Sequence, residues 1–178
     1  MGKYTIENIR NVAITGHAGK GKTTLAEAML FVSGATDRLG RVSEGNTVLD
    51  FDTEEKRRKS SVSSAMAAIE WDNTKLNIID APGLFDFENG SAEAVRAAEA
   101  VLIVTSAGSG VDVGTEKAFK AAEKRGLAKF FAITKTDSDH RSFYKTFEAL
   151  KEVYGNKLCP TIIPYMEGNI TKSYVNLM

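Results

Sequence analysis

The run Gly16-His17-Ala18-Gly19-Lys20-Gly21-Lys22-Thr23 follows the apolar segment "NVAIT" and opens an amphipathic stretch that begins at Lys22. This G-x-x-x-x-G-K-[ST] pattern, set between a strand and a helix, constrains the fold more than any other feature. Such a loop wraps backbone N–H groups around phosphates at the N-terminus of the following helix, and its glycines let the main chain come close. It calls for an α/β sheet whose ligands bind at the carboxyl ends of the strands. Lys22 is expected to reach the β and γ phosphates and the Thr23 hydroxyl to hold Mg²⁺. Gly16, His17, Ala18, Gly19, Lys20, Gly21 and Thr24 complete the expected cradle. A dinucleotide site is discarded, because Thr24 stands where its third glycine is needed.

Apolar runs predict buried strands over 11–15, 65–71, 76–80, 101–105 and 130–134, with a sixth over 160–164. "VLIVT" and "FFAIT" are continuous, as strands covered on both faces are. Helices are expected over 22–33, 92–98, 114–125 and 140–154, with Phe143, Phe147, Leu150 and Tyr154 on one face of the last. Gly34, Gly126 and Gly155 are placed to close three of these helices. The run 65–71, the turn Asp72-Asn73-Thr74 and the strand after it form a hairpin, so one edge strand should be antiparallel. The expected fold class is α/β, a three-layer P-loop NTPase fold with a mostly parallel sheet of about six strands. Residues 35 to about 63 form a long connection with a charge run over 52–59, which reads equally as a functional loop or as solvated surface.

The remaining bulk features exclude more than they assign. A chain of 178 residues fits one domain, and 23 basic residues against 23 acidic ones favour neither DNA nor a membrane as partner. The single cysteine, Cys159, rules out an internal disulfide framework and suits a reducing cytoplasm. No run is apolar for the ~18 residues of a membrane span, and "MGKYTIENIR" lacks the apolar core of a signal peptide. A cytoplasmic monomer is expected.

Two further segments fall at strand ends. Asp80 precedes Ala81-Pro82-Gly83, and an aspartate there supports Mg²⁺ while the Gly83 N–H can register a γ phosphate. Thr134-Lys135-Thr136-Asp137 follows "FFAI". The Asp137 carboxylate can accept from both donors on the guanine edge, which adenine lacks, and the Lys135 stem can cover the base. The expected ligands are GTP or GDP with Mg²⁺.

With these motifs in place the chain resembles the GTPase domain of elongation factor G, through "IRNVAITGHAGKGKTT", "LNIIDAPGLFDF" and "FAITKTD". The resemblance covers nearly the whole chain, residues 1–178, and points to a divergent elongation-factor-G-like branch. It implies GTP hydrolysis coupled to ribosomal translocation, with the ribosome as partner, Lys22 and Gly83 in the catalytic set, and Ser61 beside Thr23 and Asp80 at the metal. It also marks departures. Leu84 replaces the family's water-orienting histidine, Gly19 its phosphate-loop aspartate, Thr134 its base-reading asparagine, and Lys59-Ser60-Ser61 its Gly-Ile-Thr. The sequence stops at Met178, before the family's last guanine-contacting loop and later domains, so the chain reads as a truncated GTP-binding domain. Weak intrinsic hydrolysis is expected. The alternatives are a binding switch with negligible turnover and a ribosomal-protection-type GTPase; a phosphate-loop kinase is a weaker third.

Overall fold

A computed structural model describes residues 4–137, 142–167 and 170–178. The central sheet has five strands in the order β2-β3-β1-β4-β5. They are β1 (Ile9–Thr15), β2 (Ala65–Trp71), β3 (Thr74–Asp80), β4 (Ala100–Ser106) and β5 (Ala128–Thr134). β1 pairs in parallel with β3 and β4, and β4 with β5. β2 is antiparallel to β3 and forms the edge, as its hairpin pattern requires. Both central residues of that turn, Asp72 and Asn73, have positive φ (45° and 56°). That backbone twist suits a two-residue hairpin.

Neighbouring residues on one strand enter opposite cores. Ile14, Ile78 and Val104 pack with Ala26 and Leu30 of α1 (Lys22–Val32) on one face. Ala13 and Ile79 pack on the other with Ala94 of α3 (Glu88–Ala97) and with Ala98 just past its end. Val101 and Ile103 pack beside them against Ala118 and Ala122 of α4 (Val113–Lys124). Burial on both faces is why these strands read as unbroken apolar runs. The last helix of the sheet, α5 (Phe143–Tyr154), buries Leu150, and Phe143 stacks on Phe147 as the pattern predicts.

Three expectations change. The run 160–164 does not extend the sheet: β6 (Ile162–Glu167) pairs antiparallel with β7 (Ile170–Asn176) in a separate two-stranded sheet, so the main sheet has five strands rather than six. Pro164 lacks an N–H donor, which suits a hairpin better than a strand bonded on both edges. The charge run is not simply solvated surface. It forms α2 (Thr53–Arg58), started by an Asp52–Glu55 capping box, and the Glu55 carboxylate is buried, accepting from the Val62 and Ser63 N–H groups at 2.9 and 3.1 Å. Finally, α3 starts at Glu88, ahead of the expected 92. The expected start of α5 at residues 140 and 141, His140 among them, lies outside the described residues. Among the described residues, no helix is long and apolar enough to cross a membrane.

Candidate functional site

β1 ends in the sheet interior, and residues 16–21 turn there into α1. Gly16 takes φ 132°, and a Cβ on it would run into the backbone of Val104, with the carbonyl carbon at 3.2 Å. Only glycine fits where the loop crosses β4 so closely. No side chain caps α1, so the N–H groups of its first turn point outward at an anion-favouring helix terminus. The resulting cavity of about 220 Å³ is bordered by Ala18, Gly19, Gly21, Lys22, Thr23 and Thr24, and by Gly83 across the gap. Lys22 is buried, its Nζ donating to His17 O at 3.0 Å. Burial lowers its pKa despite the nearby carboxylates of Asp80, Asp112 and Asp50. A Cβ on Gly83 would strike Lys22 Nζ and come within 2.8 Å of Ala18 N. The close approach of the two segments therefore depends on that glycine.

Hard oxygen donors converge beside Lys22. The Thr23 hydroxyl donates to Asp80 Oδ2 at 2.6 Å and lies 3.1 Å from Ser61 Oγ. Ser61 in turn donates to Asp50 Oδ1 at 2.7 Å. All four side chains are buried, and Asp80 Oδ1 and Asp50 Oδ2 lack hydrogen-bond partners. Burial raises the Asp80 pKa to about 7, outweighing the Thr23 hydrogen bond and the Lys22 charge that lower it, with smaller upward pushes from Asp50 and Glu27. Burial raises Asp50 as well. Buried, under-bonded carboxylate oxygens next to two hydroxyls fit a hard divalent cation such as Mg²⁺. Among the described residues, no group of three or more His, Cys, Asp or Glu side chains is arranged to hold a metal ion by itself.

Several residues around the cradle turn their side chains to protein partners. Lys20 turns away from the cavity to Ser106 Oγ (3.3 Å) and Asp112 Oδ2 (3.2 Å), so it contributes backbone rather than charge to the cradle. His17 also faces elsewhere, its ring 5.5 Å from that of Phe85. Thr134 bonds Lys20 O at 2.7 Å and Thr105 O at 3.1 Å, tying the base-side segment to the loop. Lys135 has φ 56° and donates to Gly19 O at 2.7 Å. Asp137 is exposed at the end of this segment. Leu84 borders a cleft of about 250 Å³ with Phe85, Val95 and Ala118, next to Gly16 and Gly83. Asp50 was missed from sequence, as was Glu27. Glu27 is fully buried in α1 and accepts from the Val48 and Leu49 N–H groups at 2.7 and 3.0 Å. Nothing local marks either residue.

A family model described as the elongation factor Tu GTP binding domain matches residues 7–173. The chain belongs to this family. The elongation factor G-like protein of Mycobacterium tuberculosis (strain ATCC 25618 / H37Rv) is 36% identical over 162 residues, covering 91% of this chain and 23% of that protein. A mitochondrial ribosome-releasing factor 2 from Debaryomyces hansenii is 36% identical over 161 residues, covering 90% of this chain and 19% of that protein. A solved structure from Thermus thermophilus superposes with a TM-score of 0.89 at 39% identity, covering 94% of this chain and 25% of that one. This member of the elongation factor Tu GTP binding domain family thus spans about a quarter or less of the relatives it matches. It is similar to elongation-factor-G-like proteins over nearly its whole length.

Proposed function

We propose that the domain binds GTP and GDP with Mg²⁺, and that its nucleotide cycle is coupled to movement on the ribosome. The observation that carries the reading is the convergence of Thr23, Ser61, Asp80 and Asp50 beside Lys22 and the bare N-terminus of α1. The first turn of α1 and Lys22 hold the phosphates. The two hydroxyls and two carboxylates hold Mg²⁺, which supplies neutralisation of phosphate charge when bound. Gly83 presents its N–H toward the γ position, and Asp137 with the Lys135 stem recognises guanine. The names of the relatives, elongation factor G-like protein and ribosome-releasing factor, support the ribosome as partner.

Hydrolysis by the domain alone is slow in this reading. Leu84 has no polar group and borders an adjoining cleft with Phe85, so no side chain at that position orients water. Positioning and electrostatics from Lys22 leave a background rate of roughly 10⁻⁴ s⁻¹, that of small GTPases without their activators. The same observation favours a second reading, a nucleotide-dependent switch with negligible turnover even on the ribosome. Single-turnover GTP hydrolysis with and without ribosomes separates the two: acceleration supports the translational GTPase, and none supports the switch. Leu84→His leaves the rate of the isolated domain unchanged. Fast hydrolysis by the unmutated chain alone would refute the role given to Leu84.

A further inference from the structure

The cradle is bordered by three lysines, Lys22, Lys59 and Lys135. Two of their ammonium groups already hold a carbonyl of the phosphate loop, Lys22 that of His17 at 3.0 Å and Lys135 that of Gly19 at 2.7 Å. Lys59 differs. Its neighbours Arg57 and Arg58 are committed to Glu54, while the Lys59 ammonium has no hydrogen bond or ion pair among the described residues.

The backbone at Lys59 is also unusual. It caps α2 in the left-handed region, with φ 53° and ψ 41°, its N–H bonded to Glu55 O. Helices commonly end on a residue in this conformation, and glycine is favoured there because a Cβ is strained. Glycine would form the same cap at lower strain, and a lysine adds only its charge, worth little at an exposed helix end. Non-glycine residues held this way cluster at ligand clamps and switch segments. Two residues further on, Ser61 is bonded to Asp50 and lies against Thr23, and two residues of extended chain span at most about 7 Å. The Lys59 side chain is thus tethered within one side-chain length of the oxygen cluster, and it borders the same cavity as Gly83.

We propose that Lys59 is a specificity-determining cation, carried in cis by the 35–64 connection, that meets the γ phosphate and so distinguishes a nucleoside triphosphate from a diphosphate. The inference rests on the guanine-nucleotide reading of the site. Lys22 sits at the floor of the cradle and serves both ligands. Lys59 approaches from the loop and gains a partner only when a third phosphate is present. A positive side chain carried on a loop wall is a general way to add charge stabilisation at a transferring phosphate.

The test compares Lys59→Gly and Lys59→Arg with the unmutated chain, titrating fluorescent GDP and a non-hydrolysable GTP analogue in Mg²⁺, with thermal unfolding as a control. Lys59→Gly removes charge and strain together, so a role limited to capping predicts a Tm that holds or rises and no change in ligand preference. The proposal predicts the same Tm behaviour, but analogue affinity falls about five- to tenfold, the scale of one charge-assisted contact, while GDP affinity stays within about twofold. Lys59→Arg keeps the preference. An unchanged ratio of the two affinities in Lys59→Gly, or an equal loss for both nucleotides, would overturn the proposal and leave the guanine-nucleotide reading intact. Failure of the unmutated chain to bind either nucleotide would overturn that reading, and this inference with it.

Discussion

Asp80→Asn should make the ligand-free domain more stable at pH 8 while spoiling its use of Mg²⁺. Burial lifts the Asp80 carboxyl from its ordinary 3.8 to about 7. Between those values the folded state holds a proton that the unfolded chain has released. Stability therefore falls as pH rises through that window, and the full cost is present above pH 7. At 1.36 kcal/mol per pH unit the cost approaches about 4 kcal/mol, a large share of a typical domain's 5–15 kcal/mol. Asparagine keeps an oxygen to accept from Thr23 and removes the buried charge, but it forfeits attraction to Lys22, so the net gain should be roughly 2–4 kcal/mol. Urea unfolding in a chelator at pH 5 and pH 8 reads this directly. The unmutated chain should lose stability between the two conditions, and Asp80→Asn should lose much less, keeping only the smaller slope from Asp50, whose carboxyl is raised by burial too. Equal stability of the unmutated chain at both pH values, or a variant weaker at pH 8, would refute the reasoning.

Asp137→Asn should erase most of the preference for guanine over adenine nucleotides, a change of about 1–3 kcal/mol, checked by competitive titration; a native chain with no preference would remove the base assignment. Glu27→Ala should free the Val48 and Leu49 amides, which are held by the Glu27 carboxylate and should otherwise exchange slowly with or without nucleotide. Hydrogen exchange resolved to these amides decides it, and fast exchange in the unmutated chain would contradict the anchoring role.

The sequence made legible what is local. The phosphate loop, Asp80 with Gly83, and Thr134 to Asp137 each lie at the end of an apolar strand, so strand and motif mark one another. The N-cap of α2 was also present in the sequence: Asp52 followed three residues later by Glu55 is a capping-box pattern, hidden within a run whose charge suggested solvent. Contacts that join distant segments left no trace. Glu27 reaches residues 48 and 49, Asp50 reaches Ser61, and Lys20 reaches Asp112 because the fold brings them together, not because of spacing. The sheet count failed for a related reason. A short apolar run states that it will be buried or paired, but not with which partner.

The β2–β3 hairpin acts as a ruler between the two halves of the oxygen cluster. Its register sets Trp71 opposite Thr74 at the turn and Ala65 opposite Asp80 at the far end. Ser61 enters the cluster four residues before Ala65, and Asp80 enters it directly. The spacing between the loop's hydroxyl and the strand's carboxylate is therefore graduated by two residues, Asp72 and Asn73, at the opposite end of the strands, about 20 Å away at roughly 3.3 Å per residue. Lengthening the turn by one residue would slide one strand past the other and reverse which side chains face the core. The turn lies far from every ligand-facing group, yet it sets the gauge of the site.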